Sequence, residues 1–123
     1  MATFTKKTLE PAGSTGTGLG IKVAATATAG TAIHTGSATA TTIDEVWLYA
    51  VNSSATAVKL TLEWGEATAP DGNIEFTVPA ESGLYLITPG LVIKGNATAL
   101  IVKAFAATAN VINIAGYVNR ITA

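Results

Sequence analysis

The sequence predicts an all-β fold: an antiparallel β-sandwich of jelly-roll type, preceded by a flexible N-terminal arm. Three observations predict it. About nine short runs recur at spacings near ten residues, separated by Gly, Pro and Asn, which is the pattern of sandwiches, jelly rolls and barrels. One run, Ala57 to Trp64, alternates cleanly: Val58, Leu60, Leu62 and Trp64 share one face, and Lys59, Thr61 and Glu63 the other. No window places apolar residues at three- and four-residue spacing with caps. Thr and Val stand where a helix would carry Leu, Glu and Lys.

Taken in order, residues 1–20 show no periodicity. Gly13, Gly16, Gly18 and Gly20 sit among Ser and Thr, the composition of a flexible strip. Phe4 and Leu9 are apolar anchors that a pure linker rarely carries. The segment 1–20 is therefore expected to be an extended arm, and 21–123 the sandwich domain. Ile21 to Ala29 alternates weakly, and Thr31 to Thr35 follows a turn at Gly30. Thr41 to Val51 is the strongest early strand, closed by the turn residues Asn52, Ser53 and Ser54. After Ala57 to Trp64, Pro70-Asp71-Gly72 turns the chain into Asn73 to Val78, with Ile74, Phe76 and Val78 inward. Leu84 to Thr88 and Leu91 to Lys94 read as two short strands divided by a Pro89-Gly90 turn. Thr98 to Phe105 and Asn110 to Ile121 complete the set.

Two runs are apolar on both faces. Val46, Leu48 and Ala50 oppose Trp47, Tyr49 and Val51; Ile112, Ile114 and Val118 sit among Val111, Ala115 and Tyr117. One face of each lines the core. The other carries Trp and Tyr, which bury large areas and are enriched at interfaces. Trp47, Tyr49 and Tyr117 are thus the candidates for self-association. A loop or the arm folding over them is the alternative.

Composition excludes more than it identifies. Charged residues are 12% of the 123-residue chain, against about 25% in an average domain. Alanine (23) and threonine (20) fill the deficit, which suits a chain that spends its life associated. Net charge is −1, without the basic stripe of a nucleic-acid binder. The stretches Val46 to Val51 and Leu100 to Ala107 fall far short of the roughly 20 residues that span a membrane. Lys6 and Lys7 lead into Thr8, Leu9, Glu10 and Pro11 rather than an apolar signal core, so synthesis in the cytoplasm of the producing cell is expected.

The chemistry search yields little. With no cysteine, a thiolate metal site is ruled out. His34 is the single histidine, and no nucleophile elbow accompanies it, so it reads as structural or exposed. Asp44 and Glu45 are adjacent on a strand and point to opposite faces. Glu63 and Glu66 flank Trp64, a conceivable sugar cleft but more simply an exposed strand end. Asp71, Asn73 and Glu75 offer alternate oxygens without a calcium-loop frame. Gly16 to Gly20 is not closed by the Gly-Lys-Ser/Thr of a phosphate loop, since the nearby lysine, Lys22, adjoins no Ser or Thr. No cofactor or metal is expected. Of seven cations, only Lys6 and Lys7 cluster, and they could meet an acidic partner surface.

The segments Ile43 to Asn52 (IDEVWLYAVN), Leu60 to Gly65 (LTLEWG), Val78 to Leu84 (VPAESGL) and Ala104 to Ile121 (AFAATANVINIAGYVNRI) resemble a family of small bacteriophage virion proteins, the capsid decoration or cement type. The resemblance covers roughly two-thirds of the chain and leaves out the first twenty residues. It implies a β-sandwich or jelly-roll subunit without an active site. Such subunits are commonly trimers, seated on the capsid exterior and bridging major capsid subunits. On that reading Trp47, Tyr49 and Tyr117 serve the oligomer, while Phe4, Lys6, Lys7 and Leu9 contact the capsid. The expected location is the virion, and neither nucleic acid nor membrane is a partner. A neck, tail or fibre part with a sugar-binding role in host attachment is the alternative, with Trp64, Glu63 and Glu66 as its only platform. A cupin-type enzyme would need metal-binding histidines that the chain lacks.

Overall fold

A computed structural model describes residues 2–13 and 16–123. The described residues form no helix. Nine antiparallel strands build two sheets, β1 (Thr3–Thr8), β2 (Ile21–Lys22), β3 (Thr31–Thr35), β4 (Thr42–Asn52), β5 (Val58–Trp64), β6 (Asn73–Val78), β7 (Tyr85–Lys94), β8 (Ile101–Ala106) and β9 (Ile112–Thr122). The first sheet runs β1-β9-β4-β7, with β2 also paired to β9; the second runs β3-β8-β5-β6. The fold is the β-sandwich that the alternation and spacing predict.

The pairings are nested. β1 pairs β9, β3 pairs β8, β4 pairs β7 and β5 pairs β6. The chain is in effect one long hairpin, folded at the loop between β5 and β6 and rolled over. The pairings β4–β9 and β5–β8 then join its windings into sheets.

β4 shows why this sequence folds so. Its period is two throughout: Thr42, Asp44, Val46, Leu48, Ala50 and Asn52 are all buried, and the residues between them are half-buried on the outer face. Val46 and Leu48 meet Val118, Ile114 and Ile112 of β9 and Leu60 and Leu62 of β5 in one core, each such side chain contributing about 1.5–3 kcal/mol of burial.

The structure corrects three expectations. Thr3–Thr8 is not a free arm but a six-residue edge strand, in register with β9 from Thr3 opposite Thr122 to Thr8 opposite Tyr117. Its alternation is masked because Thr and Lys fill both faces. The run Ile21 to Ala29 is a strand only at Ile21 and Lys22. Beyond Val23 it becomes a loop laid against the second sheet, where the Ala25 carbonyl accepts the Ala106 N–H. Finally, Pro89-Gly90 does not break β7. The register jumps at Val46/Trp47 and again at Leu48/Tyr49, so β7 passes the site as a bulged edge strand. Proline is tolerated there because β7 has no further neighbour to receive its missing N–H. Gly90 takes φ 81°, and a Cβ on it would lie 3.1 Å from the Trp47 ring.

Part of the glycine-rich strip, Ser14 and Thr15, lies outside the described residues. Before it, Leu9 is 5% exposed in the core, and the Glu10 carbonyl accepts the N–H groups of Gly13 and Thr35.

Candidate functional site

The outer face of the first sheet carries the expected aromatic cluster. β4 and β9 pair Trp47 with Tyr117, and the two rings stack 6.2 Å apart at 8°. Lys6 of β1 places its ammonium 4.7 Å from the Tyr117 ring centre, a cation–π contact. The indole Nε1 of Trp47 donates to Glu45 at 2.8 Å, and Asn119 donates to the same carboxylate at 3.0 Å. These two hydrogen bonds, Trp47's first, hold the Glu45 carboxyl below its usual range. Tyr49 lies two residues along on the same face, opposite Ala115. Trp47, Tyr49 and Tyr117 thus share the outer face of the first sheet, each half-buried.

The apolar margin of this face escapes the sequence reading. Leu86 and Val92 of β7 are exposed on it, while Tyr85 and Leu91, opposite the inward Ala50 and Val46, are exposed at the sheet edge and Leu84 in the turn before it. The register sets Leu86 beside Tyr49, Pro89 beside Trp47 and Val92 beside Glu45, all on the outer face. Splitting β7 in two at Pro89-Gly90 hid this row. On the opposite margin Phe4 is 72% exposed beside Ile121.

The residues expected at a capsid contact separate. Phe4 and Lys6 point outward. Lys7 faces the other way and pairs with Glu10 at 3.4 Å. Leu9 is a core residue and is withdrawn from any contact surface; its apolar character serves the sandwich interior.

Under the first sheet lies a polar cluster that no local motif announces. His34 of β3 is fully buried. Its Nδ1 accepts the Glu10 N–H at 3.1 Å, so the ring proton sits on Nε2, which donates to Asp44 at 2.8 Å. Arg120 of β9 grips the same carboxylate through two donors at 2.7 and 2.8 Å, and lies 3.8 Å from Glu10. Burial alone would raise the Asp44 pKa. The hydrogen bonds of Arg120 and His34 and the charge of Arg120 outweigh it and hold the carboxyl at about 2. The Arg120 pKa is raised in turn, first by its Asp44 hydrogen bonds. Both imidazole nitrogens are occupied and neither meets solvent. The cluster pins β3, β4, β9 and the end of β1 together rather than moving a proton.

A cleft of about 290 Å³ opens elsewhere, lined by Glu63, Glu66, Asn96, Thr98, Leu100 and Lys103 among others. Glu63 is not the exposed strand end expected. It is buried, and its carboxylate accepts the Thr28 hydroxyl and, at 2.7 Å, the Gly30 N–H, both from the loop before β3. Trp64 faces away from this cleft: it packs on the core and donates to the Val92 carbonyl at 3.3 Å. The aromatic platform of a sugar site is therefore not assembled here. Glu75 pairs with Lys59 at 3.1 Å, and among the described residues no three His, Cys, Asp or Glu side chains converge as metal ligands.

Fold and face together define a two-sheet β-sandwich whose distinguishing surface is an aromatic-centred, apolar-margined sheet face. Compared with protein-family models, with curated proteins and with solved structures, the chain finds no significant match.

Proposed function

We propose that the chain is a non-enzymatic virion structural protein, a capsid decoration protein that self-associates and reinforces the capsid exterior by bridging major capsid subunits. The outer face of the first sheet carries this reading. A stacked Trp47–Tyr117 pair is flanked on one face by Leu86 at 45%, Val92 at 48% and Phe4 at 72% exposure, an arrangement of aromatic and apolar side chains suited to a protein contact. The nested pairings and the strand orders β1-β9-β4-β7 and β3-β8-β5-β6 support jelly-roll connectivity, with β1 and β2 sharing the first strand's place. The resemblance in Ile43 to Ile121 supplies the virion context and the trimer. A cement role also asks for no cofactor.

Quantitative mass spectrometry of purified particles from the virus that encodes the chain tests the proposal. A copy number comparable with that of the major capsid protein supports it. A few copies per particle would assign the chain to the neck, tail or fibre, and absence from the particle would overturn the virion reading.

A further inference from the structure

We infer that copies of this chain join head to tail through the edges of the first sheet, strand β1 of one copy adding to strand β7 of the next. The inference rests on the self-association in the reading above, not on its capsid role. Among the described residues the first sheet has two unpaired edges, β1 and β7, and its alternating order makes them run in opposite directions. A second copy set down in the same orientation therefore brings its β1 antiparallel to β7, the direction a shared ladder requires, with Pro89 the one position on that edge that offers no N–H.

The lengths match as well. Thr8 and Phe4 are four residues apart. The two bulges in β7 make Leu86 to Val92 span the four residues from Tyr49 to Glu45 on β4. Thr8, Lys6 and Phe4 point to the outer face, as do Leu86, Pro89 and Val92. In antiparallel alignment the phenyl ring of Phe4 falls beside Val92, and Thr8 beside Leu86.

Six of the seven large apolar side chains that the described residues expose lie on or beside these two edges. Pro89 and the bulges keep β7 from accepting a long flat strand, the usual defence against open-ended pairing, whereas β1 is only six residues long. A head-to-tail contact of this kind closes into a ring when the rotation per copy allows it.

The chain has no cysteine, so cross-linking can read the contact directly. Thr8→Cys and Leu86→Cys chains are made separately, checked by circular dichroism for native strand content, mixed in equal amounts and oxidised. The expected result is a disulfide joining one chain of each kind, several-fold above the dimer formed by either variant alone. Leu86→Cys chains that link mainly to one another would assign β7 to a two-fold contact and overturn the inference. So would a mixture in which no link forms, or a wild-type chain that sediments as a monomer at the same concentration. The particle copy number is independent: a decoration-level count with no mixed cross-link refutes the edge contact and leaves the capsid role standing.

Discussion

At the scale of single residues, the buried cluster gives the sharpest expectation. Asp44 ionises at about 2 in the fold, below the roughly 3.9 of an unfolded chain. A depressed carboxylate stabilises the fold at pH above its unfolded value. That stability is lost as the pH falls from about 5 toward 2. From the size of the shift, Asp44 contributes about 2 kcal/mol at neutral pH and roughly half of it at pH 3. Urea titrations at pH 7 and pH 3 measure the difference, and Asp44→Asn should flatten it. Gly116 is the second such position. A Cβ there would stand 2.0 Å from the Trp47 carbonyl oxygen, a backbone atom that cannot step aside without breaking the β4–β9 ladder. Gly116→Ala should lower unfolding stability by more than about 2 kcal/mol.

These residues also mark where reading the sequence stops. The opposite faces of Asp44 and Glu45 follow from strand period alone. That Asp44 meets His34 and Arg120 does not, because those partners lie ten and 76 residues away and become neighbours only when β3 and β9 close over β4. Glu63 misled for a related reason: alternation set it on the polar face, but the covering loop before β3 has no periodicity of its own to announce it.

At the scale of elements, β4, β5, β6 and β9 were legible because a half-buried strand writes its period into the chain. β1 was not, since an edge strand with one neighbour needs no apolar alternation. The sequence divides β7 into two pieces because Pro and Gly ordinarily punctuate, and only an edge position lets them be absorbed as a bulge. The pairing of β4 with β9 brings Trp47 over Tyr117, and the proposed self-association should draw on that stack. Trp47→Ala is expected to weaken the oligomer by about 2 kcal/mol or more, a roughly 30-fold shift in its dissociation, read by sedimentation equilibrium. A mutant with native strand content and an unchanged oligomer would remove the aromatic centre from the interface.

At the scale of the molecule, nesting governs how the chain reaches its fold. Only β5 and β6 are near neighbours; each outer winding pairs strands farther apart in sequence, until β1 meets β9. Loop-closure entropy has to be met before those contacts stabilise anything. Refolding is therefore expected in milliseconds to seconds rather than microseconds. Stopped-flow fluorescence of Trp47 and Trp64 measures it, and a microsecond phase carrying the full amplitude would contradict the nested order.

Thr3 lies directly across the ladder from Thr122. The two extremities of the described chain thus sit side by side, one strand spacing apart. A short bridging peptide could splice them, and a fresh opening in the exposed Pro79–Gly83 turn would yield a circular permutant with every ladder intact. A passenger domain fused at either extremity would emerge at the same corner, beside the β1 edge and well away from β7.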